Sequence, residues 1–402
     1  MGFLSGIRVV SFTTGVAGPT AARLLAQCGA EVFKIESVHG GLDNFRFAGA
    51  GAQGDVNRAP RFVESNLNVH SVQINLKHPT GIRLARELIA KSDVVLDNFR
   101  PEVIPRLGLG PDDLRALKPE LIVIRMPGLG LSGPKYWYGT WGSTLTAFSG
   151  MTHLWNHPGQ PVPIGAQGVY PDYVSAALAA SAVIAALIRR RATGQGAVLE
   201  LAQVEATAYM LGVSLLEAAV NGHDPAPAGN DWPYAAPHSC YPCLGEDRWC
   251  VIAVETDEQW RALVPILERP ELAQDARFAT LAARRQHLAE LDEIVSAWTC
   301  QRDAHTIMHR LQEAGVPCGV VQSGEDLFDD PHLRERGFIG SVEHPLMGRV
   351  PLAGFPLHIS GGGIDDLHSS DMLGGHTEYA ICDLLGYSRE QLESWQRDQA
   401  LD

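Results

Sequence analysis

The sequence predicts an α/β fold whose parallel sheet is covered by helices on both faces. Two observations carry that expectation. Short β-branched runs alternate with helical patterns through the first half of the chain, and 45% of the 402 residues are apolar, which supplies a substantial core. Residues 7–12 (IRVVSF) read as a buried strand, 20–27 as a helix stopped by Gly29, and 31–35 (EVFKI) as a second strand, together a βαβ unit. The pattern returns with a strand at 71–76, a helix at 79–91, and strands at 94–96 and 121–124. A long Ala-rich helix over 173–191 ends at the turn Thr193-Gly194-Gln195-Gly196, and 198–201 follow as another strand.

Beyond residue 220 the character changes. Residues 221–242, rich in Pro, Ala, Gly and Asn, read as the linker out of the first domain. A strand at 249–254 and helices at 257–267, 287–298 and 304–314 then make a smaller α+β unit, so the expected divisions are 1–220, 221–322 and 323–402. The last section reads as loop-rich and extended up to a helical stretch at 378–385, and such a tail needs a larger body to pack on.

Composition excludes several function classes. A net charge of −14 disfavours a phosphate-tracking surface, so nucleic acid is not an expected partner, and an anionic ligand would need a local basic pocket. The opening MGFLSG lacks the basic patch and apolar run of a signal peptide, and no uncharged apolar stretch of about 18 residues appears. A cytoplasmic protein without membrane association is the expectation. Seven scattered cysteines suit buried thiols in a reducing compartment. The pair Cys240 and Cys243 forms a C-x-x-C, but no second ligand pair follows at zinc-site spacing. The turn after the first strand, Gly15-Val16-Ala17-Gly18, lacks G-x-G-x-x-G spacing, which argues against a dinucleotide site despite Glu36 after the second strand.

Several separated segments have a common resemblance. They are Gly6-Ile7-Arg8-Val9-Val10, Ala17-Gly18-Pro19, residues 29–36 (GAEVFKIE), Asp97-Asn98-Phe99-Arg100-Pro101, Leu107-Gly108-Leu109, Gly128-Leu129-Gly130, Gly315-Val316-Pro317, Asp330-Pro331-His332 and residues 373–378 (LGGHTE). In their order and spacing they resemble the family III CoA-transferases over nearly the whole chain. The resemblance implies a doubly wound, Rossmann-like large domain made of the N-terminal half and the C-terminal tail, with the smaller domain inserted between them. It also implies an interlocked dimer, either a homodimer or a heteromer with a related subunit.

In that family the catalytic aspartate stands just before the long helix, a position held here by Asp172. The residues alone leave a second reading open, because Asp is a favoured N-cap and Pro171 marks the same boundary. The resemblance further implies coenzyme A and an acyl-CoA as substrates, a small carboxylic acid as acceptor, and neither metal nor nicotinamide. Val16 and Ala17 fall near the pantetheine arm, while Asn98, Phe99, Arg100 and Arg106 fall in the stretch lining the coenzyme site. Gly128 and Gly130 are candidates for a lid over a dry site, as is the run Gly361-Gly362-Gly363, which plain turn chemistry also explains. Tyr138 and Trp141, with Tyr136 and Trp137, can form an acyl pocket suited to a bulky or aryl acid; ordinary packing explains these rings as well.

Some positions depart from the family pattern. Ser37 and the pair Val69-His70 stand where many relatives carry basic residues, which reduces the charge available to the coenzyme and is compatible with a catalytically silent subunit of a heteromer. The racemase branch uses a Gly-His-Asp motif, and the corresponding residues 138–142 read YGTWG, so α-methylacyl-CoA racemisation is the alternative activity.

Overall fold

The structure is a computed structural model that describes residues 2–47, 54–163, 165, 168–360, 362 and 366–402. Contacts divide the chain into two compact units, one of Met1–His153, Ile164–Pro225 and Arg334–Asp402, the other of Leu154–Pro163 and Ala226–Leu333.

The first unit is built on six strands, β1 (Arg8–Phe12), β2 (Glu31–Glu36), β3 (His70–Gln73), β4 (Val94–Asp97), β5 (Ile122–Arg125) and β6 (Ala197–Glu200). They are all parallel in the order β3-β2-β1-β4-β5-β6, so the direction of winding reverses between β1 and β4. Period-two alternation explains why these short apolar runs are buried on both sides. Val9, Val32, Val94 and Ile124 face the helices Ala17–Gln27 and Tyr170–Thr193, while Val10, Phe33, Val95 and Val123 face the helix Pro79–Ala90. Each fully buried Val, Ile or Phe side chain contributes about 1.5–3 kcal/mol.

The long helix starts earlier than its sequence suggests. Pro171, taken as a boundary marker, lies inside the first turn, where its missing N–H costs nothing, and the helix begins at Tyr170. Ala176, Ala179, Ala180 and Val183 recur at helical spacing and are buried in one cluster with Ala21, Ala22 and Leu25. Small side chains on both surfaces let the two backbones approach closely. By length and composition this helix is apolar enough to cross a bilayer, but half of its most apolar stretch is buried within the protein. At its end Gly194 adopts φ +71°, and a Cβ on Gly196 would stand 2.2 Å from the Leu121 carbonyl oxygen, so both glycines are required to turn the chain into β6.

The section after residue 322 is more regular than expected. It forms short helices at Gly324–Asp329 and Pro331–Glu335, an antiparallel hairpin of Ile339–His344 with Gly348–Ala353, and helical segments at Tyr379–Leu384 and Arg389–Arg397. Its glycines and prolines mask these short elements, because none is long enough for periodicity to show. Ala380, Ile381, Leu392 and Leu401 close one face of the sheet. The same segment satisfies the edge strand β3: Ser71 N–H donates to Asp371 (2.9 Å) and Gln73 N–H to Thr377 Oγ1 (2.9 Å). Just beyond it, Asn75 N–H donates to the Ala400 carbonyl (3.0 Å). An exposed strand edge is thereby covered.

One ion pair in this anchor titrates. Burial alone would push the Asp371 carboxyl up, but bonding to His376 and the nearby His70 (3.8 Å) outweighs it and holds the pKa at about 2. Hydrogen bonding to Asp371 raises the pKa of His376. A depressed acid stabilises above its unfolded pKa of about 4 and loses that contribution toward pH 2; a raised imidazole stabilises below about 6.5 and loses it as pH rises through its folded value. The anchor is therefore strongest between about pH 4 and pH 6.5. Amide exchange of the segment near residues 371–380, corrected for intrinsic rates, is expected to be slowest in that window, and Asp371→Asn to flatten the profile.

The second unit carries an antiparallel sheet of β7 (His238–Pro242), β8 (Trp249–Ala253) and β9 (Cys318–Val320). Helices Asp257–Ile266, Leu288–Thr299 and Ala304–Glu313 flank it, with Trp260, Tyr241, Phe278, Leu263 and Ile307 in one core. The stretch 221–242 is thus not linker throughout, since its last five residues are β7 and bury Tyr241. Cys240 lies on β7, and Cys243 immediately after it is buried, with burial first among the causes that raise its thiol pKa to about 12.

A candidate active site at the carboxyl ends of the strands

In a sheet whose winding reverses, the loops leaving the two central strands part in opposite directions and open a crevice at their carboxyl ends. A cleft of about 900 Å³ lies there. All six strands deliver part of its wall: Thr14 to Val16 follow β1, Ser37 and Gly40 follow β2, Asn75 and Lys77 follow β3, Asn98 to Pro101 follow β4, Pro127 and Gly128 follow β5, and Gln203 follows β6.

Buried polar pairs hold these loops. Asn98 bridges the reversal, its Oδ1 accepting from Thr14 N–H and its Nδ2 donating to the Thr14 carbonyl, both at 2.9 Å. A Cβ on Gly18 would stand 2.6 Å from Thr13 and 2.7 Å from Asn98, so only glycine lets the first helix start beneath this bridge. Asp97 accepts from Arg125 Nε at 2.8 Å; burial is the leading influence on it and raises its pKa to about 6. After β2, Lys34 pairs with Asp43 (2.7 Å), and Arg46 grips Glu36 through Nε (2.8 Å) and Nη2 (2.6 Å). These ion pairs are fully buried, so their partners are committed to structure and removal of either would strand a charge.

Asp172 lies in the wall of this cleft, as the third residue of its helix. It is not the N-cap: Val169 occupies that position, and no side chain caps the helix. Burial is the leading influence on the Asp172 carboxyl and lifts its pKa to about 6. The backbone N–H groups of Ala17 and of Asp172 itself, and the charge of Arg61, pull in the opposite direction. Oδ2 is buried without a hydrogen-bond partner. Gly142 explains how the carboxylate fits, because a Cβ on that residue would stand 2.2 Å from Oδ2. The result is a desolvated carboxylate with a free lone pair at neutral pH, which is the state a nucleophile needs.

The structure distributes the other sequence candidates unequally. Val16, Asn98, Phe99, Arg100, Gly128, Tyr138 and Trp141 line the cleft with Asp172. Ala17 is not among the lining residues but contributes its N–H to Asp172. Arg106 ends the short helix Val103–Arg106 as an exposed side chain away from the lining, and Gly130 packs against Glu200 and Ala202. Gly361 and Gly363 lie outside the described residues. Arg100 rests on Gly139, where a Cβ would stand 2.6 Å from its guanidinium, and Lys77 rests on Gly40 in the same way at 2.4 Å. Ser37 donates to Asp402 (3.0 Å), and so that part of the wall carries a carboxylate.

Sequence reasoning missed Arg61, Gly142, Gln203 and Thr140. Gly142 was visible only as the last residue of the YGTWG stretch, and Gln203, whose Oε1 is buried without a partner, belongs to no motif. Outside the cleft, His70, Asp371 and His376 bring three potential metal-ligand atoms within 4.8 Å of one another, the one such group among the described residues.

Comparison with known proteins identifies the family. The sequence model of CoA-transferase family III matches residues 4–377. The chain is 32% identical to succinyl-CoA–D-citramalate CoA-transferase of Chloroflexus aurantiacus, over 99% of this chain and 98% of that protein. It is 30% identical to succinate–glutarate CoA-transferase of Agrobacterium fabrum, over 95% of each. Its structure is similar to the crystal structure of a CaiB/BaiF family protein from Brucella suis, with a TM-score of 0.87 and 27% identity over 95% of this chain and 99% of that one.

Proposed function

The chain belongs to CoA-transferase family III, and from that premise we propose that it moves coenzyme A from an acyl-CoA to a carboxylic acid with Asp172 as the covalent carrier. One observation carries the assignment of the carrier: the Oδ2 of Asp172 is buried, unpartnered and in the wall of the cleft.

The chemistry conserves the thioester bond. The Asp172 carboxylate attacks the donor thioester carbonyl, forming an acyl–aspartyl anhydride and expelling CoA thiolate. The thiolate attacks the aspartyl carbonyl of that anhydride, which leaves an aspartyl-CoA thioester and releases the donor acid as its carboxylate. The acceptor carboxylate then attacks the aspartyl thioester and expels the thiolate again, giving a second anhydride. The thiolate finally attacks the acceptor carbonyl, so that acyl-CoA departs and Asp172 regains its carboxylate. Each step exchanges one acyl bond for another, and protons need not move.

Charge on the aspartyl oxygen grows whenever its carbonyl is attacked. The Ala17 N–H, first in its helix and already directed at Asp172, is placed to stabilise that oxygen. Water would destroy either anhydride, and Tyr138 and Trp141, which line the cleft with Asp172, are the apolar groups proposed to exclude it. Both the dicarboxylic acids named in the relatives and an aryl acid suited to these rings are compatible with the acceptor position.

A dimer is part of the proposal. The helix Gly212–Asn221 buries none of its residues within its own chain, and Tyr209, Val213, Leu216 and Val220 are exposed before or along it. Such an apolar surface suits a partner subunit.

The test is to incubate the protein with an acyl-CoA and trap with hydroxylamine. An aspartyl hydroxamate at residue 172, absent from Asp172→Asn, is expected. Acyl exchange without any adduct at residue 172 would overturn the assignment.

A further inference from the structure

We propose that Arg61 forms a subsite for a second carboxylate, so that the protein accepts dicarboxylic acids in preference to monocarboxylic ones. This rests on the transfer reading above and adds the class of acid it handles.

Three Lys and Arg side chains line the cleft, Lys77 against Gly40, Arg100 against Gly139, and Arg61, and none of them forms a salt bridge among the described residues, whereas the cations behind the wall are committed. Lys34, Arg46 and Arg125 are locked in buried pairs with Asp43, Glu36 and Asp97, and Arg23 binds Glu64. Arg61 differs from these. It lines the cleft, its side chain is exposed, and it forms no salt bridge to any described carboxylate. Its charge reaches Asp172 and lowers the pKa of that carboxyl, and it is the cation that does so. The guanidinium lies 4.9 Å from the centre of the Phe45 ring, which also lines the cleft, and this contact gives it an orientation without consuming its hydrogen-bond donors.

The position of the free charge selects its ligand. The pantetheine arm holds the phosphates of coenzyme A far from its thiol, so a cation beside the nucleophile meets the acyl portion and not the nucleotide. An acyl group that has reacted at one carboxyl can offer a second anion only if it is a dicarboxylic acid. A planar guanidinium binds a carboxylate through two parallel hydrogen bonds. A monocarboxylic acid leaves that guanidinium without a partner, and loss of one charge-assisted contact costs about tenfold to a hundredfold.

The experiment separates acceptor recognition from the rest of the cycle. Asp172 is first charged with coenzyme A from an acyl-CoA, the donor is removed, and discharge of the aspartyl-CoA is timed with glutarate or butyrate. Native protein is expected to react with glutarate at least about tenfold faster at low acceptor concentration, through a lower half-saturating concentration. Arg61→Met should bring glutarate down to the butyrate level with butyrate little changed, and Arg61→Lys should retain part of the preference. Equal loss with both acids would show that Arg61 serves the transfer step itself and not a second carboxylate, and equal rates in the native protein would show that no second-carboxylate site exists. Either result overturns the proposal. Failure to charge Asp172 at all would instead remove the transfer reading, and the subsite with it.

Discussion

Asp172→Asn is expected to abolish CoA transfer, by at least about 10³-fold, because it removes the carboxylate proposed to carry the acyl bond. The same substitution should stabilise the fold at neutral pH. The pKa of Asp172 rises from 3.8 to about 6 on burial, so the folded protein holds the proton more tightly than the unfolded chain. The sign follows from that difference: native stability falls as pH rises from about 4 to about 6 and is constant above, a cost of up to about 3 kcal/mol. Asparagine carries no such charge. Its thermal midpoint should therefore exceed that of the native protein at pH 7, with the gap closing near pH 4. A variant that is less stable at pH 7 would mean that the carboxylate is held by contacts stronger than the geometry shows. Transfer by the native protein should itself decline as pH falls below about 6, where the nucleophile becomes protonated.

The second large effect is expected at a glycine of the cleft wall. Gly142→Ala places a methyl group 2.2 Å from Asp172 Oδ2 and 2.8 Å from a Val169 methyl, and the second contact prevents the helix start from yielding. The carboxylate must move, and a displacement of about 1 Å at a reacting atom costs on the order of 10²-fold. Single-turnover formation of the aspartyl-CoA should slow by that amount while the thermal midpoint changes little. Gly324→Ala is the control, since a Cβ there meets nothing within 4 Å and should leave both measurements unchanged. Full activity in Gly142→Ala would show that the carboxylate has another productive position.

Much of the cleft wall was legible because the loops that line it follow strands. Asn98, Phe99 and Arg100 could be placed together from the sequence because they leave β4, and Val16 because it closes the turn after β1. Arg61 could not be placed so. It opens a short helix between β2 and β3, with nothing local to show that the helix packs near Asp172. Arg106 shows the converse limit, as six residues beyond Arg100 the chain has turned through a short helix and carries the side chain away from the lining.

By itself the sequence determined the parallel sheet, because apolar runs separated by helical patterns have one economical way to bury both faces. It also drew attention to Asp172, because an aspartate beside Pro171 at the head of a long Ala-rich helix is a local pattern, although that pattern alone suits an N-cap as well as the proposed nucleophile. Only the tertiary structure decided that this carboxylate is desolvated, has an unpartnered Oδ2 and feels the charge of Arg61. Those properties depend on Ala17, Arg61 and Gly142, which stand far from residue 172 along the chain or at its bends, and the field and free volume at a point are sums over neighbours in space.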